Sequence, residues 1–94
     1  MMLLTREKVL QDLRDILCNF NGREYSGEIG LETLLFADLG MVSIEAVILA
    51  ETLENTYQRQ FAFGQFLAEL NREGVKDVRV GRLVTFLHEQ MTAQ

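Results

Sequence analysis

The chain contains no proline and no tryptophan, and it has only one cysteine and one histidine among its 94 residues. A single cysteine, Cys18, excludes an internal disulfide, and without a Cys/His cluster nothing indicates a metal site. Cys18 falls on a helical pattern near apolar residues, so we expect a buried or half-buried side chain. His88 has no partner motif, and we expect it to be packed or solvent-facing rather than catalytic.

Long apolar runs are also missing. No run reaches the roughly 18 residues that a membrane-spanning helix needs, and residues 1–4 are too few for the core of a signal peptide. We therefore expect a cytoplasmic protein with no membrane partner. The content of 48% apolar and 24% charged residues is ordinary for a soluble globular protein. Residues 1–94 fit one domain, and we expect it to be free-standing.

Basic side chains are fewer than acidic ones, nine against fourteen, which gives a net charge of −5. Residues 1–57 carry four basic and ten acidic side chains, whereas residues 58–94 carry five and four. Nucleic-acid binding requires a basic patch and is disfavoured. The acidic first part suits a basic partner, or it is an ordinary solvated helical surface.

Apolar residues recur at helical spacing in four segments. We predict an all-α fold, a small four-helix bundle of three main helices plus a short third helix. A long loop, 20–42, joins helices one and two, with Leu34, Leu35, Phe36 and Leu39 as its anchors. The predicted helices are 6–19, begun by Thr5; 43–57; 65–73, ended by Gly74; and about 80–91. The predicted inward residues are Val9, Leu13, Ile16, Leu17 and Phe20; Ala46, Leu49, Ala50, Leu53 and Tyr57; Phe66, Leu67 and Leu70; and Val80, Leu83, Val84, Leu87 and Met91.

The start of the second predicted helix carries a candidate site. Gly40 breaks the preceding pattern, and no Gly or Pro interrupts the chain from Ser43 to Tyr57. We expect the Ser43 hydroxyl to cap this helix. The same end of a helix carries a partial positive charge, which favours a phosphate group by typically 0.3–1 kcal/mol.

A second stripe on this helix is apolar where an ordinary surface helix would be polar. It consists of Ile44, Val47 and Ile48, and it leads to Glu51. A helix that is apolar beyond its core face is either unusually buried or a docking surface.

The segment Asp38-Leu39-Gly40-Met41-Val42-Ser43-Ile44, with the later Val47, Leu49, Leu53, Glu54 and Tyr57, resembles the acyl carrier protein family. The family pattern is Asp-Leu-Gly-x-Asp-Ser-Leu, followed by a helix that ends in Leu-Glu and an aromatic residue. By this resemblance, Ser43 accepts a 4′-phosphopantetheine arm from coenzyme A, and the thiol of that arm carries acyl intermediates as thioesters.

The resemblance also implies partners. They are a phosphopantetheinyl transferase and acyl-transferring or ketosynthase-type enzymes of fatty acid or polyketide biosynthesis, and the carrier itself is a non-catalytic monomer. The expected docking residues are Met41, Ile44, Glu45, Val47, Ile48 and Glu51.

Two alternatives remain open. The family usually has Asp before the serine, where its carboxylate helps the transferase to recognise its target, and here Val42 stands in that place. An unmodified carrier-like helical adaptor is therefore the alternative, with Ser43 only a helix cap. The cargo could also be aminoacyl or peptidyl, although the single Gly40 favours acyl. An enzyme is disfavoured, because the chain has no Gly-x-Ser-x-Gly elbow and no phosphate-binding loop.

Overall fold

The computed structural model describes residues 4–20, 22, 24–25 and 27–92. Within these residues the chain is all-helical, and the helices form a small bundle, which confirms the predicted fold class. They are α1 (Arg6–Leu17), α2 (Ser43–Tyr57), α3 (Phe63–Glu73) and α4 (Val80–Thr92). In the described part of the chain, no helix is long and apolar enough to cross a membrane.

Most helix ends follow the sequence signals, but α1 ends at Leu17 rather than at 19, and α3 begins at Phe63 rather than at 65. Thr5 caps α1, since its Oγ1 accepts a hydrogen bond from the N–H of Lys8 at 3.1 Å. Gly74 ends α3 in the left-handed region at φ +76°, as predicted. The prediction for Cys18 is wrong: the thiol is exposed, because α1 ends at Leu17 and Cys18 is the residue that follows the helix.

The core contains the apolar residues that recur at helical spacing, and α1 packs against α4. Leu67 is the one wrong prediction among the inward residues of α3, since it is 54% exposed. Phe66 and Leu70, four residues apart, define the buried face of α3 and leave Leu67 beside it. The buried core consists of Val9, Leu13, Leu17, Phe20, Ile29, Leu35, Met41, Leu49, Leu53, Phe61, Phe66, Leu70, Val78, Val80, Leu83, Val84 and Leu87.

The C-terminal end of α2 is held by a hydrogen bond to α1 and by aromatic packing. The Tyr57 hydroxyl donates to Asp12 Oδ2 at 2.7 Å. Burial, together with this carboxylate, raises the pKa of the Tyr57 hydroxyl well above its usual value. The Tyr57 ring meets Phe61 edge-on, and Phe61 in turn contacts Phe63 and Phe86. These contacts join α2 to the start of α3 and to α4.

The long loop between α1 and α2 is attached to the segment that leads into α4. Leu34 and Arg79 form an isolated antiparallel bridge. The N–H of Leu35 donates to Val78 O at 2.9 Å, and the N–H of Val80 donates to Thr33 O at 2.8 Å. The loop carbonyl therefore satisfies an N–H in the first turn of α4, which has no partner inside its own helix.

Asp77 holds the same loop through its side chain. Its carboxylate accepts hydrogen bonds from the N–H groups of Phe36 and Ala37, both at 3.0 Å, and from Val78 at 2.7 Å. Burial alone would raise the pKa of this carboxyl, but the three N–H groups together lower it below its usual 3.8. A charged acceptor therefore ties the loop to a residue about 40 positions further along the chain.

Gly81 allows the loop to approach α4 closely. Its N–H donates to Leu31 O at 2.8 Å. A Cβ at this position would lie 2.9 Å from Leu31 O and 3.2 Å from Leu31 Cβ. Glycine inside a helix costs up to about 1 kcal/mol relative to alanine, and here the contact with the loop explains why it is tolerated.

We expect Gly81→Ala to lower the free energy of unfolding by about 1–2 kcal/mol, because the added methyl would push the Leu31 backbone away. Gly64 provides a matched control. It is also the second residue of its helix, and a Cβ added there would meet nothing within 4 Å, so Gly64→Ala should be neutral or stabilising. Urea denaturation of both variants checks this, and an equal response at the two positions would contradict it.

Candidate functional site

The loop turns sharply before α2. Asp38 Oδ2 accepts a hydrogen bond from the N–H of Leu34 at 2.8 Å, and the N–H of Met41 donates to Leu35 O at 3.1 Å. Gly40 sits in the left-handed region at φ +71°, where a residue with a side chain would be strained. The Asp-Leu-Gly part of the motif therefore builds the turn that delivers the chain to α2.

Ser43 is the first residue of α2, and its side chain is exposed. The prediction that it caps the helix is wrong, because the N-cap position belongs to Val42, whose backbone is extended there. Among the described residues, no group accepts a hydrogen bond from the N–H of Ser43 or of Ile44. Ser43 thus stands at the positive end of a 15-residue helix, where these two N–H groups have no acceptor among the described residues.

Glu45 does the capping in place of Ser43. Its Oε1 accepts a hydrogen bond from the N–H of Val42 at 3.0 Å, which is the glutamate half of a capping box. The side chain is only 3% exposed. It borders a small cavity of about 50 Å³ that Leu17 and Tyr25 also line. Glu45 therefore closes the start of α2 from a buried position that borders the end of α1 and the loop.

The surface around Ser43 is apolar. Val42, Ile44 and Val47 are 51%, 63% and 53% exposed, and we call these three residues the α2 apolar face. Three of the six large exposed apolar side chains in the described chain lie here. An exposed apolar group of this kind is typical of an interaction site.

The six predicted docking residues divide into two groups. Ile44, Val47 and Glu51 are exposed and Ile48 is half-buried, so docking through these four stays a prediction. Met41 and Glu45 are buried, at 7% and 3% exposure. Their assignment to an exposed surface is corrected: Met41 belongs to the core, and Glu45 is occupied with the backbone of Val42.

The acidic residues of α2 contribute little to this surface. Glu45 is buried, and Glu54 accepts a hydrogen bond from the N–H of Phe61 at 3.0 Å. Glu51 is the exposed acid of the helix. The carboxylates of Glu45 and Glu54 therefore accept hydrogen bonds from backbone N–H groups of the fold, and they are not available as surface charges.

The site has no catalytic partner for Ser43 in the described chain. His88 lies on α4, where its Nε2 is 3.1 Å from Leu4 O, and the Ser43 hydroxyl has no side-chain hydrogen-bond partner among the described residues. In this same part of the chain, no three His, Cys, Asp or Glu residues are placed to hold a metal ion. Among the described residues, no side chain is therefore placed to act as a base for Ser43.

Sequence reasoning missed the structural roles of Glu45 and Asp77. A signal for Glu45 was present, since a Glu three residues after an N-cap is half of a capping box. No local signal indicated Asp77, whose partners are far away in the chain.

Comparisons of this chain with protein-family models, with curated proteins and with solved structures found no match.

Proposed function

We propose that this protein is an acyl carrier whose Ser43 bears a 4′-phosphopantetheine arm. The observation that carries the proposal is the exposed Ser43 hydroxyl, which follows an Asp-Leu-Gly turn and opens a long helix. The N–H groups at this helix start favour the phosphate of the arm. The carrier makes no bonds in its cargo, since the arm supplies the thiol to which acyl groups attach.

Attachment would be performed by a phosphopantetheinyl transferase. The Ser43 oxygen attacks the phosphorus that bears the pantetheine arm in coenzyme A. The bond from that phosphorus to the rest of the pyrophosphate breaks, 3′,5′-adenosine bisphosphate leaves, and the hydroxyl proton passes to a base of the transferase. This chain contributes the accessible oxygen and the α2 apolar face beside it, which is the surface that a partner can contact.

The cargo belongs to the fatty acyl or polyketide class, and the enzymes that use it are acyl-transferring or ketosynthase-type proteins. The cytoplasm is the proposed location, and a monomer is the proposed state. These statements rest on the sequence resemblance around Ser43. If phosphopantetheine does not attach to Ser43, these proposals fail as well.

An unmodified helical adaptor is the second candidate, and one observation favours it. Val42 is 51% exposed directly before Ser43, so a transferase that searches for a carboxylate there meets an apolar side chain. In the adaptor, the same α2 apolar face would bind a partner without any covalent arm.

We expect incubation with coenzyme A, Mg²⁺ and a broad-specificity phosphopantetheinyl transferase to add one phosphopantetheine group, measured by intact mass. Val42→Asp should increase the rate, because the carboxylate restores the recognition feature at an extended position that accepts aspartate. A known carrier in the same tube controls for transferase activity.

Failure of both the natural chain and Val42→Asp would refute the carrier and favour the adaptor. Modification of Val42→Asp alone would indicate a carrier that needs a dedicated transferase. The position of the group is established by peptide mapping.

A further inference from the structure

A second surface of the molecule is concave and apolar, and no residue of α2 belongs to it. It is a groove of about 790 Å³ between the start of α1, the end of α3, the 75–79 segment, the first half of α4 and the 31–34 part of the loop. Small-molecule sites usually have volumes of about 300–1,000 Å³. We call this surface the α1–α4 groove. Its apolar lining residues are Leu10, Leu31, Leu34, Leu70, Val75 and Val84.

Exposed apolar side chains support a ligand at this groove. Outside the α2 apolar face, the described chain has three large exposed apolar residues: Leu31, Val75 and Leu67. The first two line the α1–α4 groove, at 51% and 39% exposure. Exposed apolar surface is therefore concentrated at two places, the start of α2 and this groove.

The charged residues at the rim of the groove indicate the charge of the head group that it would bind. Four cations line the groove, namely Arg6, Lys76, Arg79 and Arg82. Arg82 pairs with Glu73 at 2.7 Å, and Arg79 lies 3.9 Å from Glu32. Arg6 and Lys76 make no ion pair with a described residue. They are two available cations in a chain whose net charge is −5.

The acidic residues at the rim do not neutralise its two available cations, because most of these acids already have other partners. Of Glu7, Glu32 and Asp77, Asp77 directs its carboxylate to three backbone N–H groups, and Glu32 lies near Arg79. Glu7 is the acid without such a partner among the described residues. The two available cations therefore face one available acid, beside an apolar floor.

We propose that the α1–α4 groove binds a single-chain anionic amphiphile of the long-chain carboxylate class. Its hydrocarbon chain lies on the apolar floor, and its head group lies at the rim with Arg6 and Lys76. The site is separate from Ser43, so it does not depend on the attachment of an arm. Apolar burial supplies most of the affinity, and the rim cations select the sign of the head group.

The test is isothermal titration of the purified chain with dodecanoate below its micelle concentration. Dodecyltrimethylammonium, which has the same tail length and the opposite charge, is the comparison ligand. We expect saturable binding of dodecanoate and binding of the cation that is weaker by about fivefold or more, since exposed charge contacts are individually modest. Equal binding of the two ligands, or no saturation by dodecanoate, would overturn the proposal.

Matched variants locate the site. Leu31→Asp removes an apolar contact from the groove, whereas Leu67→Asp changes a residue of nearly equal exposure outside it. Lys76→Glu and Arg72→Glu form the corresponding pair for charge, because Arg72 does not line the groove. Leu31→Asp and Lys76→Glu should each weaken dodecanoate binding about fivefold or more, and the two controls should not.

Circular dichroism would reveal a variant that fails to fold. A second measurement, made on the natural chain, tests the site without any variant. Amide chemical shifts of the natural chain, titrated with dodecanoate, should change at residues 31–34 and 75–85. Changes centred on the α2 apolar face would overturn the assignment, as would equal weakening by the groove variants and their controls.

Discussion

Ser43→Ala is expected to abolish attachment of the phosphopantetheine arm completely while leaving the fold intact. The reaction needs the serine oxygen, and alanine has none. The side chain is exposed and has no hydrogen-bond partner among the described residues. Substitutions at such positions usually change the free energy of unfolding by less than about 0.5 kcal/mol. Intact mass and a urea denaturation curve measure the two effects separately.

The chain offers a matched control for this experiment. Ser26 is the only other serine in the sequence, and it lies outside the described residues. Ser26→Ala should be modified as well as the natural chain. Modification of Ser43→Ala, or its loss in Ser26→Ala, would move the attachment site away from the start of α2.

Asp77→Ala is expected to lower the free energy of unfolding by about 2–3 kcal/mol. The carboxylate accepts hydrogen bonds from the N–H groups of Phe36, Ala37 and Val78. A hydrogen bond to a charged group contributes about 1.5–3 kcal/mol, and the total for the three stays near this range because Ala37 is exposed and its N–H can bond water instead. The N–H of the half-buried Phe36 loses its acceptor. Urea denaturation at pH 7 measures the change. Glu32→Ala, which removes a long and exposed contact to Arg79, is the control and should change stability little.

The contribution of Asp77 should depend on pH in a definite direction. Burial opposes ionisation, but the three backbone N–H groups lower the folded-state pKa below the usual 3.8. A group with a lowered pKa stabilises the fold fully above its unfolded pKa, and this stabilisation is lost as pH falls through the folded value. The difference between the natural chain and Asp77→Ala should therefore be constant from about pH 7 to 5 and shrink below about pH 4. A difference that stays constant down to about pH 2 would contradict this explanation.

The helices were predictable because their signals are local. Ser43 to Tyr57 contains neither Gly nor Pro, and apolar residues recur at helical spacing, so both ends of α2 were predicted correctly. Thr5 and Gly74 mark helix ends by chemistry that acts within a few residues. The exposure of Ile44 and Val47 at helical spacing also follows from the sequence.

The arrangement of the loop could not be predicted, since its contacts join residues that are far apart in the chain. Nothing near Asp77 indicates that its carboxylate reaches Phe36. Nothing near Gly81 indicates that Leu31 lies against it. No local pattern indicates the isolated bridge between Leu34 and Arg79, which also joins distant residues.

The candidate site shows a related limit. Ser43 and Glu45 both have side chains that can bond the free N–H groups at the start of a helix, and the role of each depends on which residue is the N-cap. Because Val42 occupies the N-cap position, Glu45 turns inward and Ser43 turns outward. The sequence pattern alone assigned the opposite roles.

The attachment of the loop to the segment before α4 has a consequence for the order of folding. Contacts between residues 31–37 and 77–81 close a long loop of chain. Closing such a loop costs the chain more conformational entropy than forming a local contact does, and this cost precedes the stabilisation that the contacts provide. Helix α2 and the hydrogen bonds within the preceding turn can form from nearby residues, but the turn is tied to the segment before α4 only after residue 77 has joined the bundle. A nascent chain that has not yet released residues 77–81 from the ribosome would lack the contacts that hold residues 31–37 of this loop on the bundle. A modifying enzyme that requires this geometry would then distinguish finished molecules from unfinished ones.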